Sequence, residues 1–260
     1  MPPVGKLGRL AHNPAHVRMA LQAHEVLDLS RMPSRPAARD WSQVKGVDVD
    51  YQMWKNNELG NCGIASLLGL MTTWARQTGA PFVASDDDAV DGYARLGGYV
   101  PGKPATDRGV VMLDVLGKLV GGETLAGQEI VAGVSIDTSN EDMMDAAAEF
   151  FGGLWIGYGL PKAWQGADVW DGPPGGKLTG DWAPWSWGGH AVAQPGYSPA
   201  MSRVITWQYG QPVTPLGRRA YCEEAYGLVS RDLWLILAGD RCPAGIDVQR
   251  LVDAFPGLRI

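Results

Sequence analysis

The sequence predicts an α+β fold in two lobes, helix-rich first and strand-rich second. Apolar residues recur at three- and four-residue steps between residues 62 and 119, whereas short apolar runs with strand character dominate from residue 129 onward. The chain has 260 residues, enough to bury a sizeable core in one two-lobed domain.

Residues 1 to about 35 carry Pro, His and Arg but little periodic core, and read as an N-terminal arm. Residues 36–260 then form one domain, with a helical lobe at about 62–125 and a β-rich lobe at about 126–260. Ile64, Leu67, Leu68, Met71 and Trp74 mark one face of a helix running from Cys62 to about Gln77. Further helices are predicted over Asp86–Leu96 and Asp107–Leu119. Strands follow at Glu129–Val134 and Leu154–Leu160, with a helix at Glu141–Phe151 between them. Pro161–Gly189 is a long Gly-, Pro- and Trp-rich connection carrying Trp164, Trp170, Trp182, Trp185 and Trp187, and loops of this length serve as lids or binding surfaces. Ala191–Tyr197 and Val204–Tyr209 read as strands, Arg218–Ala225 as a helix, and Leu228–Leu237 as a strand.

Composition narrows the partners. The net charge is −6 and the 22 basic residues are scattered, which argues against a nucleic-acid surface. No apolar stretch is long enough for a membrane span. The N-terminus lacks the apolar core of a secretory signal, so a cytoplasmic or virion-associated location is expected. Three Cys, odd in number and without metal-ligand spacing, fit free thiols in a reducing compartment, with no metal and no cofactor.

Cys62 stands where a polar Gly-containing loop, Gly60-Asn61, gives way to the first helix. With Asn61 as N-cap, the positive end of the helix dipole favours a thiolate there and lowers the thiol pKa. A buried free cysteine acting as a small hydrophobe fits the same position. Of four His, three lie in the first 24 residues, which leaves His190, behind the pair Gly188-Gly189, as the base for such a thiol. A lone core histidine is the competing reading. Cys and His far apart in sequence are nevertheless the expected form of a Cys-His pair. Cys222, on a predicted helix, and Cys242, before Pro243, read as structural.

Ala38-Arg39-Asp40-Trp41, Gly60-Asn61-Cys62 and His190-Ala191-Val192 followed by Gly196-Tyr197 resemble, in order and interval, the landmarks of papain-like cysteine peptidases. The strings NNELGNCGIAS and SWGGHAV, with Thr106-Asp107-Arg108-Gly109, are similar to a divergent branch from bacteria and tailed phages. The resemblance covers roughly residues 36–240. It implies a papain-like two-lobed fold, a helical lobe against an antiparallel β-barrel-like lobe, with Cys62 as nucleophile, His190 as base and a peptide or protein as substrate.

Two family positions differ. The family's oxyanion Gln, six residues before the nucleophile, is here Asn56, with Asn57 beside it. Asn carries the same amide on a shorter stem, and both are also turn formers. The family Asn that orients the imidazole aligns with Trp207, whose indole N–H donates but cannot accept. Gln208 supplies an acceptor if the register shifts by one residue. In the family an inhibitory pro-segment precedes the enzyme; this arm is shorter, and either crosses the cleft or binds a neighbouring subunit. Two functions of different class follow: a cysteine hydrolase, peptidase or amidase, using a Cys-His pair, or a catalytically weak papain-fold module, such as a virion-associated phage component, that binds proteins through the arm and the Trp-rich loop.

Overall fold

A computed structural model describes residues 5–11, 21–22 and 35–231. Cys242 and most of the predicted arm lie outside the described residues. Helix α1 (Cys62–Thr78) is buried from Cys62 through Ala75 and packs its length against the sheet, which is why its apolar residues occupy more than one face. Gly79, left-handed at φ 73°, ends it. A capping box of Ser85 and Asp88 starts α2 (Asp86–Gly97), and Gly98 closes it in the left-handed region. Helix α3 (Met112–Val120) begins later than the predicted Asp107, because the backbone at Val110 is committed to pairing with residues 8 and 10. Helix α4 spans Glu141–Phe151 as predicted, its first turn capped by the Asn140 side chain.

The short strands are β1 (Leu21–Gln22), β2 (Arg39–Asp40), β3 (Gln43–Val44), β4 (Val47–Asp48) and β5 (Thr124–Leu125). The long ones are β6 (Gln128–Ser135), β7 (Leu154–Leu160), β8 (Gly188–Tyr197), β9 (Ser202–Thr206), β10 (Tyr209–Val213) and β11 (Cys222–Ser230). They order β1-β6-β11-β7-β8-β9-β10, with β2 also on β8, and every pair along that path is antiparallel except β1 with β6. One hydrophobic cluster joins α1, α2 and α3 to this sheet, so the helices and the curled sheet share a core. Among the described residues no helix is long and apolar enough to cross a membrane.

Three local predictions are corrected. The strand predicted over Val204–Tyr209 is two strands: Trp207 and Gln208 turn the chain with φ 45° and 74°, and Thr206 pairs with Tyr209 across them. Two consecutive positive φ values mark the two-residue turn that matches strand twist, here without the usual Asn or Gly to announce it. The helix predicted over Arg218–Ala225 is α5 (Pro215–Tyr221), N-capped by Thr214; Cys222 already pairs with Tyr158 in the sheet. The predicted Leu228–Leu237 strand is the end of β11 as far as Ser230, and residues beyond 231 lie outside the described ones. Within Pro161–Gly189, Trp164 and Trp170 are buried and stacked at 4.8 Å, and Trp170 bonds through its backbone to Pro212. Those two indoles are core, while Trp187 packs against Trp207.

Candidate active site

Cys62 is the first residue of α1, and the loop before it is clamped. Asp107 Oδ1 accepts the Gly60 N–H at 2.8 Å and the Tyr93 hydroxyl at 2.9 Å. Asn61 occupies the N-cap position, but its side chain turns back and donates through Nδ2 to the Trp54 carbonyl at 2.8 Å, leaving its buried Oδ1 without a partner. It makes no side-chain cap. The Cys62 thiol is 1% exposed and its Sγ accepts the Ala191 N–H at 3.4 Å. Burial pushes this thiol up to about 11, against the downward pull of the Ala191, Gly8 and Gly63 N–H groups and the Arg9 charge. The lowered thiol pKa expected from the helix terminus is therefore overturned in this state: desolvation outweighs the dipole.

His190 lies on β8 opposite Tyr158, one residue before the amide that meets the thiol. Its Nε2 is 2.6 Å from Thr206 Oγ1, its Nδ1 has no hydrogen-bond partner, and its ring stacks on Trp207 at 4.5 Å. Burial lowers its pKa to about 3, so the imidazole is neutral. The residue that holds the imidazole is thus Thr206, which sequence reasoning missed. Trp207 contributes a ring face, with its buried Nε1 unpaired, and Gln208 is exposed on the turn. Neither orients His190 through a hydrogen bond, because both sit in the turn rather than on the strand that faces the ring. A hydroxyl both donates and accepts, so Thr206 satisfies Nε2 in either tautomer. The signal for it was the last position of β9, one residue ahead of the aligned Trp207.

Asn56 is buried, and its Nδ2 donates to the Lys6 carbonyl at 3.0 Å and the Leu59 carbonyl at 3.2 Å. Asn57 is exposed. Asn56, Cys62, Ala191, Thr206 and Trp207 line one cavity of about 20 Å³, room for roughly one water molecule. Among the described residues no three His, Cys, Asp or Glu side chains gather into a metal-binding group.

Residues 5–11 run through this site. The Lys6 N–H donates to the Asn56 carbonyl at 2.6 Å, the Val110 N–H to Gly8 O at 2.7 Å, the Leu10 N–H to Val110 O at 2.8 Å, and the Arg9 N–H to Gly189 O at 3.1 Å. The segment is thereby bonded to the helical side through Asn56 and Val110 and to the sheet through Gly189. Gly8 is required where the segment passes the loop before Cys62: a Cβ there would stand 1.7 Å from Gly60 O. Arg9 is fully buried at its side chain, with Nε 2.6 Å from Glu224 Oε1 and one terminal nitrogen 2.8 Å from Glu223 Oε2. Trp185 covers the guanidinium, 5.1 Å from ring centre to Cζ. Sequence reasoning singled out neither carboxylate; the trace available was Gly157, Gly159 and Gly189 on paired strands, which leave space above the sheet.

No family model matches the sequence, and no curated protein matches it. Solved structures do. Xylellain, a cysteine protease from Xylella fastidiosa, superposes with a TM-score of 0.56 at 12% identity over 87% of this chain and 96% of its own. The Carica candamarcensis cysteine protease CMS1MS2, solved with E-64, gives 0.51 at 15% identity over 75% and 99%. A structure from work on the mite allergens Blo t 1 and Der p 1 gives 0.51 at 14% identity over 84% and 78%. At these identities the likeness speaks for architecture, and with a central helix headed by Cys62 against a curled antiparallel sheet carrying His190, the chain has the papain-like cysteine protease fold.

Proposed function

We propose that this chain is a thiol peptidase of the papain type whose cleft is closed by its own residues 5–11. One observation carries the reading: the site already binds a polypeptide backbone, with Asn56 Nδ2 donating to the Lys6 carbonyl, the Val110 N–H donating to the Gly8 carbonyl and the Arg9 N–H donating to the Gly189 carbonyl. In the closed state both partners are neutral, a thiol pushed up and an imidazole pushed down by the same burial, so no thiolate forms near neutral pH.

Departure of the segment readmits water and removes most of that penalty. The Cys62 proton then passes to the unpaired Nδ1 of His190, whose Nε2 stays against Thr206 Oγ1. The thiolate attacks the carbonyl carbon of a bound peptide, and the carbonyl electron pair moves onto oxygen, stabilised by the Cys62 N–H and Asn56 Nδ2. Collapse expels the amine, which takes the proton from His190, and leaves a thioester. Water, deprotonated by His190, hydrolyses the thioester and restores the thiol.

The test is site-mapped alkylation by iodoacetamide at about pH 7 in the parent chain and in Gly8→Val, which keeps the cleft residues but blocks seating of the segment. Cys62 in the variant is expected to react faster than in the parent and faster than Cys222. Equal rates in parent and variant would instead identify the protein as a papain-fold binding module with an idle cleft.

A further inference from the structure

Beside Cys62 the cleft contains a receptor for a positively charged side chain that no part of the reaction above uses. Glu224 Oε2 accepts the Tyr226 hydroxyl at 2.7 Å, and Glu223 Oε1 accepts the Trp185 indole N–H at 2.6 Å. Each carboxylate is thus held by the body of the protein through one oxygen and offers the other inward. Glu224 Oε1 and Glu223 Oε2 are the two atoms that Arg9 engages. The floor is glycine: a Cβ at Gly157 would lie 2.4 Å from Arg9 Nε, so any other residue there would fill the space the guanidinium takes. Trp185 supplies the roof. Two preset carboxylates, an aromatic lid and a glycine floor select a planar delocalised cation over an ammonium, and an apolar side chain would leave both acids without a counter-charge.

We propose that the pocket between Glu223, Glu224 and Trp185 is an arginine-recognition subsite of the cleft, filled in cis by Arg9 and in trans by an arginine of the peptide substrate. The inference rests on the peptidase reading, which names the cleft as the substrate site. Arg9 shows the mode of occupancy: its backbone is strapped to Gly189, and Gly8 and Leu10 on either side of it are strapped to Val110. Its side chain enters the pocket from the residue after Gly8, whose backbone passes the loop that leads to Cys62.

Equilibrium binding separates this proposal from catalysis. The full chain carrying Cys62→Ala, Gly8→Val and Arg9→Gln displaces the tether, empties the pocket and cannot turn over, so its affinity for a peptide of sequence GKLGRLA is independent of whether the enzyme cleaves. Trp fluorescence or calorimetry is expected to show that peptide binding about tenfold or more tighter than the same peptide with citrulline in place of arginine. Adding Glu223→Gln and Glu224→Gln is expected to erase the difference. Equal affinity for the two peptides, or discrimination that survives loss of both carboxylates, overturns the subsite. If Arg9→Gln does not fold, Gly8→Val with Cys62→Ala displaces the tether without altering the pocket, and the same comparison decides. Failure of alkylation in the earlier experiment with arginine selectivity intact would refute the peptidase and leave an arginine-peptide binding cleft.

Discussion

Acid should weaken this structure through His190 before it does so through general charge repulsion. The folded imidazole, buried against Trp207 and Thr206, is lowered to about 3, against an ordinary value of 6.5 once hydrated. Between those values the unfolded or opened chain binds a proton that the closed chain does not, so stability is fully present above pH 6.5 and falls as the pH drops toward 3. The slope is about 1.4 kcal/mol per pH unit for one group, roughly 4–5 kcal/mol across the whole window. Urea unfolding at half-unit steps from about pH 7 to pH 4 measures it, with His190→Gln as the reference, since glutamine retains an amide for Thr206 and does not titrate. The parent curve should fall relative to the variant by about 3 kcal/mol over that range. Parallel curves, or a His190 C2 proton that titrates near its ordinary value in the folded chain by NMR, would refute the burial argument. The same linkage favours opening of the cleft as pH falls, because the hydrated imidazole is the form that takes the proton.

Other outcomes follow from single contacts. Thr206→Val leaves His190 Nε2 buried without a partner and should cost about 1–3 kcal/mol, read as a melting temperature lowered by several degrees. In a cleft-opened background it should also reduce peptidase kcat more than it raises KM, because the base loses its orientation. Gln208→Gly, at φ 74° and exposed, should stabilise the chain by about 0.5–1 kcal/mol in thermal unfolding without changing Cys62 reactivity. Burial pushes the Cys222 thiol up to about 12, so mass mapping should find it unalkylated near neutral pH in every variant that stays folded. Arg9→Leu, retaining the stem without the cation, should destabilise the closed state by about 3–5 kcal/mol, detected as faster proteolysis of residues 5–11.

The elements were legible where a local rule had no competitor. Helices α1, α2 and α4 and strands β6, β7 and β8 follow from three- and four-residue periodicity or from dense apolar runs between Gly and Pro. The errors cluster where a residue's neighbours in space differ from its neighbours in sequence. Asp107–Val111 reads as a helix start, yet its backbone bonds to residues 8 and 10. Trp207-Gln208 reads as strand, yet the antiparallel pairing of Thr206 with Tyr209 forces both into positive φ. Placement of the imidazole partner failed with it, since a hidden two-residue turn moved the facing position back to Thr206.

Cys62 and His190 were both identifiable in the chain, because a thiol at a helix start and a lone histidine behind a glycine pair are local patterns. Their environment was not. A helix terminus predicts an acidic thiol, whereas the folded chain buries it at 1% exposure under residues 5–11 and makes it a poorer acid than free cysteine. The acidic receptor for Arg9 was equally invisible, since Arg9 and its two carboxylates lie more than 200 residues apart in sequence. Desolvation and charge pairing depend on what the fold brings within a few ångströms, so the sequence determined where a thiol heads a helix and where a lone histidine opens a strand, and the tertiary structure decided the state they are held in.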